Sequence, residues 1–178
     1  LINGKYQGVF INVEEIDSRF TRSHFADGEG NLYKEVWPTS LDGLTKPATA
    51  ERWKSGLQTN TESNPSIDKA LEFGRAVMQE GGDARAAATQ SWLSTPNILR
   101  LIAVDRTIRN DDGPFHFFCD ESGCENHNFY LYEEQKADRM WLIPWDLDLA
   151  FVAAGNLETG RDRFLQVANE WDDHAAVC

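Results

Sequence analysis

The strongest constraint on the fold is a pair of apolar runs separated by a short charged connection. Residues 129–132 and 140–143 are aromatic, aliphatic or Met, and most residues between the two runs are charged. This pattern is typical of two antiparallel strands joined by a polar turn. A hairpin folded about Ala137 would place Asn128 opposite Asp146 at its open end. Amide and carboxylate oxygens are the ligands that a hard cation such as Mg²⁺ prefers, so the pattern predicts a metal site there.

Composition indicates a folded, acidic protein. The chain has 178 residues, 41% of them hydrophobic, and a formal net charge of −12. Its 17 basic residues do not cluster, which disfavours nucleic acid as a partner. The acidity favours a basic macromolecular substrate, although an ordinary solvated acidic surface explains it as well. No apolar run approaches the ~20 residues that span a bilayer. The chain opens inside a strand-and-turn pattern, so we expect it to be part of a larger domain.

The order of the predicted elements indicates one α+β unit. An Asn3-Gly4 turn predicts an N-terminal hairpin over residues 1–15, and Asp17 or Ser18 is a candidate cap for a short helix. Residues 38–65, rich in Pro, Thr, Ser, Asn and Gly, predict a long surface excursion. Helical periodicity then predicts a helical middle and one late helix. The predicted helices cover residues 66–78, 84–93, 95–108 and 161–171.

The three cysteines leave two interpretations open. Cys119 and Cys124 flank the turn Asp-Glu-Ser-Gly and could form a local disulfide, which would stabilise the fold by about 2 kcal/mol. Alternatively, they are reduced thiols of a cytosolic protein. The Gly- and Ser-containing turn favours the disulfide and therefore an exported protein. Cys178 has no nearby partner in the sequence.

Asp112, Asn128 and Asp146 follow one another in an order that suits phosphoryl transfer. In kinases one carboxylate lies beside the acceptor hydroxyl, while an Asn and a second carboxylate hold Mg²⁺ on the phosphates. Each residue also has a structural explanation. Asp112 precedes Gly113 as in a turn, Asn128 begins a strand, and Asp146 could cap the following segment. Asp111 is an alternative to Asp112.

Several stretches of the chain, spread over most of its length, resemble one known family. The resemblance includes the opening hairpin, an E-x-I-D motif, a GNLYK strand and a three-part signature ending in IPWDLD. These stretches are residues 1–10, 13–17, 30–34, 110–113, 127–132 and 143–148. They resemble the CotH kinase family, secreted or spore-coat proteins with an atypical protein-kinase fold.

The resemblance implies roles for the residues of the signature. Asp112 would be the catalytic Asp beside the acceptor hydroxyl, and Asp146 would bind Mg²⁺. Asn128 and Asp148 would support the metal site. Residues 113–126 read as an inserted loop relative to some family members, and we expect it to fold outward so that Asp112 and Asn128 still meet.

Two further residues are implied on the phosphate side of the site. Lys34 would neutralise phosphate, with an exposed strand lysine as the alternative. Glu14 would orient a phosphate-binding or metal-side group, with a structural ion pair as the alternative.

The function implied by the resemblance is phosphorylation of Ser or Thr in an extracellular, cell-surface or spore-coat protein, with ATP and Mg²⁺ as cofactors. We expect the protein substrate to be basic and Ser-rich. A second hypothesis keeps the fold but makes the chain a non-catalytic surface adhesin or structural coat module. A third is a metal-dependent phosphohydrolase, for which the chain offers few ligands beyond its Asp residues.

Overall fold

The computed structural model describes residues 2–9, 12–40, 45–108, 110, 112–115, 118–120, 123–148 and 150–151. Within them it contains both helices and strands, in agreement with the predicted α+β class. The helices are α1 (Ser18–His24), α2 (Ala50–Ser55), α3 (Asp68–Val77), α4 (Gly82–Trp92) and α5 (Thr95–Ile108). The strands are β1 (Asn31–Lys34), β2 (Phe118–Asp120), β3 (Gly123–Glu125), β4 (Phe129–Glu134) and β5 (Arg139–Pro144).

A three-stranded antiparallel sheet with the order β1-β4-β5 forms the centre of the fold. The predicted hairpin is confirmed as β4 and β5, with Phe129 paired to Pro144. Its register differs from the prediction by one residue. The turn has an even number of residues, 135–138, so the hairpin is centred between two residues rather than on Ala137. Asn128 therefore lies opposite Trp145, whose N–H donates to the Asn128 carbonyl at 2.8 Å.

The two faces of the sheet carry separate apolar clusters because side chains alternate along each strand. On one face, residues of all three strands pack against helices α2, α3 and α4, as the burial of Trp53, Phe73 and Trp92 shows. On the other face, Leu32, Tyr130 and Tyr132 pack with Ile16 and the aromatic side chains beside α1. The sheet is thus covered on both sides, with its β4–β5 open end next to the loop that follows α5.

The helix predictions agree with the structure where residues are described. Asp17 caps α1 by accepting hydrogen bonds from the N–H groups of Arg19 and Phe20, and α3, α4 and α5 lie within a few residues of their predicted bounds. The helix predicted over 161–171 lies outside the described residues. None of the helices described is long and apolar enough to cross a membrane.

The prediction of a surface excursion over residues 38–65 was wrong for much of that segment. It contains α2, whose Trp53 is fully buried and lies edge-on to Tyr33 with ring centroids 4.9 Å apart. The backbone after α2 also covers the outer edge of β1, because the Gln58 N–H donates to the Leu32 carbonyl at 2.8 Å. Composition suggested a loop here, but a single large aromatic side chain anchors the segment in the core.

The N-terminal hairpin is only partly formed. The Asn3-Gly4 turn is present, and Ile2 and Lys5 exchange backbone hydrogen bonds of 2.9 and 3.0 Å. Residues 6–9 and 12–13 are not in a strand, and Tyr6 is 73% exposed. An extended segment needs a paired strand to satisfy its backbone groups and cover its apolar side chains. The part of the chain that the structure describes supplies no such partner here.

Candidate functional site

The open end of the β4–β5 hairpin meets the loop after α5, and this contact brings together Asp112 and Asn128. The Asn128 side-chain nitrogen donates to the Asp112 carboxylate oxygen Oδ2 at 2.7 Å and to the Asp112 carbonyl at 3.0 Å. Both side chains are partly buried. Two residues that are sixteen positions apart therefore form a direct contact, as the sequence interpretation required. Asp111 lies outside the described residues.

The segment predicted as an inserted loop contains a strand pair of its own. Its outward folding stays a prediction. Residues 118–120 and 123–125 pair as the short hairpin β2–β3, in a register that places Cys119 opposite Cys124. The Asn126 side-chain nitrogen donates to the Pro114 carbonyl at 3.1 Å, which ties the end of the insertion to its beginning. The disulfide between the two cysteines stays a prediction.

Buried polar contacts hold the loop that carries Asp112. The Asn110 side chain donates to Asp105 at 3.0 Å, and both residues are buried. Gly113 is packed so tightly that a Cβ atom there would lie 2.3 Å from the Asn110 side-chain nitrogen. Trp37 donates its indole N–H to the Asn126 side chain on the other side of the loop. These contacts fix the position of Asp112 relative to the sheet.

Burial is the main influence on the charge state of Asp112. It raises the pKa of the Asp112 carboxyl above its ordinary value. The charge of His127 and the hydrogen bond from Asn128 act in the opposite direction, while the charges of Asp148 and Glu35 raise the pKa further. Four named side chains thus lie close enough to Asp112 to affect its protonation.

Asp146 and Asp148 follow β5 and are exposed. Asp146 adopts a left-handed backbone conformation with φ +48°. The Phe151 N–H donates to the Ile108 carbonyl at 2.7 Å, which ties the segment after Asp148 to the end of α5. The charge of Asp148, in the same segment, acts on Asp112. Within the described part of the chain, no three His, Cys, Asp or Glu side chains form a group that could hold a metal ion.

Glu35 belongs to the site, although the sequence interpretation did not include it. Its carboxylate oxygen Oε1 accepts a hydrogen bond of 3.1 Å from the Asn128 backbone N–H. An acidic residue directly after a strand usually lies in solvent, so nothing in the sequence singled it out. The only available signal was its position next to the GNLYK motif, at the strand end nearest Asn128.

Lys34 and Glu14, the two residues assigned to the phosphate side, lie in different environments. Lys34 is partly buried on β1, opposite Tyr130, and its ammonium makes no hydrogen bond or ion pair with any described residue. Glu14 is exposed and lies 3.0 Å from the His24 imidazole on α1. The contact of Glu14 matches the structural ion-pair alternative, whereas the phosphate role of Lys34 stays a prediction.

Comparison with known proteins gives one family. A family model described as CotH kinase protein matches residues 1–175, which is nearly the whole chain. No curated protein matches the chain. The matched range includes every residue of the site described above.

Proposed function

The chain belongs to the CotH kinase family, and from this premise we propose that it is an ATP- and Mg²⁺-dependent protein kinase with an atypical kinase-like fold. Its proposed reaction transfers phosphate to Ser or Thr of a protein substrate. The observation that carries the proposal is the 2.7 Å hydrogen bond between Asn128 and the Asp112 carboxylate. In kinases an Asp lies beside the acceptor hydroxyl and a nearby Asn binds the metal ion. Asp112 and Asn128 are proposed to be the corresponding pair.

Asp112 is the proposed acceptor of the hydroxyl proton. Its oxygen Oδ2 is engaged by Asn128, so its oxygen Oδ1 is the one left to face a substrate hydroxyl. Partial burial raises the pKa of the carboxyl, which makes it a better proton acceptor than an exposed Asp. The hydrogen bond from Asn128 also fixes the plane of the carboxylate.

Asn128, Asp146 and Asp148 are the residues that would hold a magnesium ion in this proposal, and their amide and carboxylate oxygens are of the type that Mg²⁺ prefers. The Asn128 side chain uses its nitrogen for Asp112, which leaves its carbonyl oxygen for a cation. Asp146 and Asp148 add exposed carboxylates, with Asp148 near enough to influence Asp112. Mg²⁺ is usually held by one or two carboxylates together with water and substrate phosphates, so a complete protein cage is not required. When bound, the ion would neutralise charge on the phosphates.

Lys34 is the proposed contact for the nucleotide phosphates. It lies on the strand beside the site, and it has no ionic partner among the described residues. Glu14 is assigned to support of α1 through His24 rather than to the nucleotide. The substrate we propose is a basic, Ser-rich protein outside the cell or on the spore surface, since the −12 net charge favours a cationic partner.

The direct test is transfer of labelled γ-phosphate from ATP to a basic Ser-rich peptide and to the chain itself. We expect Asp112→Asn and Asp146→Asn each to lower the rate by about 100-fold or more, as for a lost proton acceptor or metal ligand. Asp83→Asn is the matched control, because Asp83 is exposed in the first turn of α4. Unchanged activity in both site variants would remove these residues from the mechanism.

The alternative function is a non-catalytic surface adhesin or structural coat module. The observation that favours it is the exposure of apolar side chains in the N-terminal segment, where Val9 is 90% and Val13 60% exposed. Calorimetry with ATP and Mg²⁺ separates the two functions. Heat of binding that disappears in Asp146→Asn supports the kinase, and the absence of any nucleotide binding supports the module.

A further inference from the structure

Glu35 adopts a backbone conformation that a residue with a long side chain rarely takes. Its φ of +54° lies in the left-handed region, which is unfavourable for residues other than Gly, Asn and Asp. Its neighbours hold it there: the Glu35 N–H donates to the Phe129 carbonyl at 3.1 Å, and Arg52 donates to the Glu35 carbonyl at 2.9 Å. Such strain persists only where surrounding contacts enforce it, and it often marks functional positions.

The side chain of Glu35 has a specific task in this conformation. Its oxygen Oε1 accepts from the backbone N–H of Asn128, which is itself left-handed with φ +56°. Asn128 in turn holds Asp112 through its side chain. A continuous line of hydrogen bonds therefore runs from Glu35 through Asn128 to the proposed proton acceptor. Glycine at position 35 would satisfy the backbone but would leave the Asn128 N–H without this acceptor.

We propose that Glu35 is a positioning residue, which fixes the Asn128 backbone so that the Asn128 amide is directed at Asp112. The catalytic part of this inference rests on the proposed kinase function. The geometric part does not, because it concerns only the described contacts between Glu35 and Asn128. Glu35 acts here as a hydrogen-bond acceptor, and its negative charge is not required for this role.

Two variants of Glu35 distinguish the effect of its hydrogen-bond acceptor from the effects of its negative charge and its left-handed backbone. Glu35→Gly removes the acceptor and relieves the left-handed strain, so the fold is retained. Glu35→Gln keeps a carbonyl oxygen at the same reach and replaces the charged carboxylate by a neutral amide. We expect Glu35→Gly to lower kcat for phosphate transfer about 10-fold or more, with the KM for ATP little changed, because misplacement of reacting groups affects chiefly the chemical step. Glu35→Gln should stay within about 3-fold of the parent chain.

A second readout works without nucleotide and without activity. Hydrogen exchange at the Asn128 backbone N–H, followed by NMR, should become about 10-fold faster in Glu35→Gly and stay near the parent rate in Glu35→Gln. Equal protection of this N–H in all three proteins would overturn the inference. So would an equal loss of kcat in both variants, since that would assign the role to charge. If the parent chain transfers no phosphate, the kinase proposal fails and the exchange rates still decide the role of Glu35.

Discussion

Gly30, the first residue of the GNLYK motif, allows the sharpest prediction about stability. It lies directly before β1, and the backbone of β4 approaches it closely. A Cβ atom at this position would lie 1.8 Å from the Glu133 carbonyl oxygen and 2.9 Å from the Tyr132 hydroxyl. The first of these atoms belongs to the backbone and cannot rotate away. Gly30→Ala therefore forces β1 and β4 apart at the start of their pairing.

The expected cost follows from the size of that displacement. An ordinary carbon–oxygen contact is about 3.3 Å, so the strands must separate locally by roughly 1.5 Å. The change weakens the 3.0 Å hydrogen bond from the Gly30 N–H to Tyr132 and the first pairing of β1 with β4. Overpacking of this kind and the lost hydrogen bonds together predict a loss of about 3 kcal/mol in the free energy of unfolding. For a chain of this length that corresponds to a fall in Tm of about 6–12 °C.

Thermal unfolding followed by circular dichroism measures this effect. Gly82→Ala is the matched control, because a Cβ at Gly82 meets no atom within 4 Å and the residue begins α4. Ala is the better helix former, so the control should be neutral or stabilised by up to about 1 kcal/mol. A Tm for Gly30→Ala within 2 °C of the parent chain would refute the close approach of β1 and β4 at this motif.

Three further predictions test the core, the buried carboxyl group of Glu133 and the partly buried carboxyl group of Asp112. Trp53→Ala should lower the free energy of unfolding, measured in urea, by about 3–5 kcal/mol. Val9→Ala, at a residue that is 90% exposed, should change it by less than about 0.5 kcal/mol. Similar values for both variants would mean that α2 lies on the surface, as the sequence predicted. Burial raises the pKa of Glu133, so its contribution to stability is full below the ordinary Glu pKa and is lost as pH rises through the folded value. Glu133→Gln should therefore reduce the fall in stability as the pH rises above the ordinary Glu pKa, and an unchanged slope would assign that fall to other groups. Because burial also raises the pKa of Asp112, the rate of phosphate transfer should decline with acidification at a higher pH than an exposed Asp would allow; a pH–rate profile without this acid limb would exclude Asp112 as the proton acceptor.

Much of the local structure was predictable because it depends on neighbours in sequence. The apolar runs at residues 129–132 and 140–143, with a charged connection between them, indicated the hairpin, and the periodicity after residue 66 indicated the helices. Asp17 was recognisable as a helix cap by its residue type and place. The prediction for residues 38–65 failed because composition cannot show that one side chain, Trp53, has a core to enter.

The residues of the site also differ in how far the sequence could predict them. Asp112 and Asn128 were identified from residue type, spacing and motif, and their side chains are in contact, while their roles stay predictions. Glu35 was missed because its role depends on a left-handed backbone and on a partner 93 positions away. The register of Asn128 was predicted one residue away from the observed one, because only the turn geometry decides where the hairpin is centred.

The sequence by itself therefore determined which elements form, which family the chain resembles and which polar residues deserve attention. These properties arise from periodicity, caps and motifs, all of which are written along the chain. Only the tertiary structure decided that Glu35 holds Asn128, that Trp53 is in the core and that Asn126 ties the end of the insertion to Pro114. Those outcomes depend on distances between residues far apart in sequence, which are established only when the sheet and helices pack together.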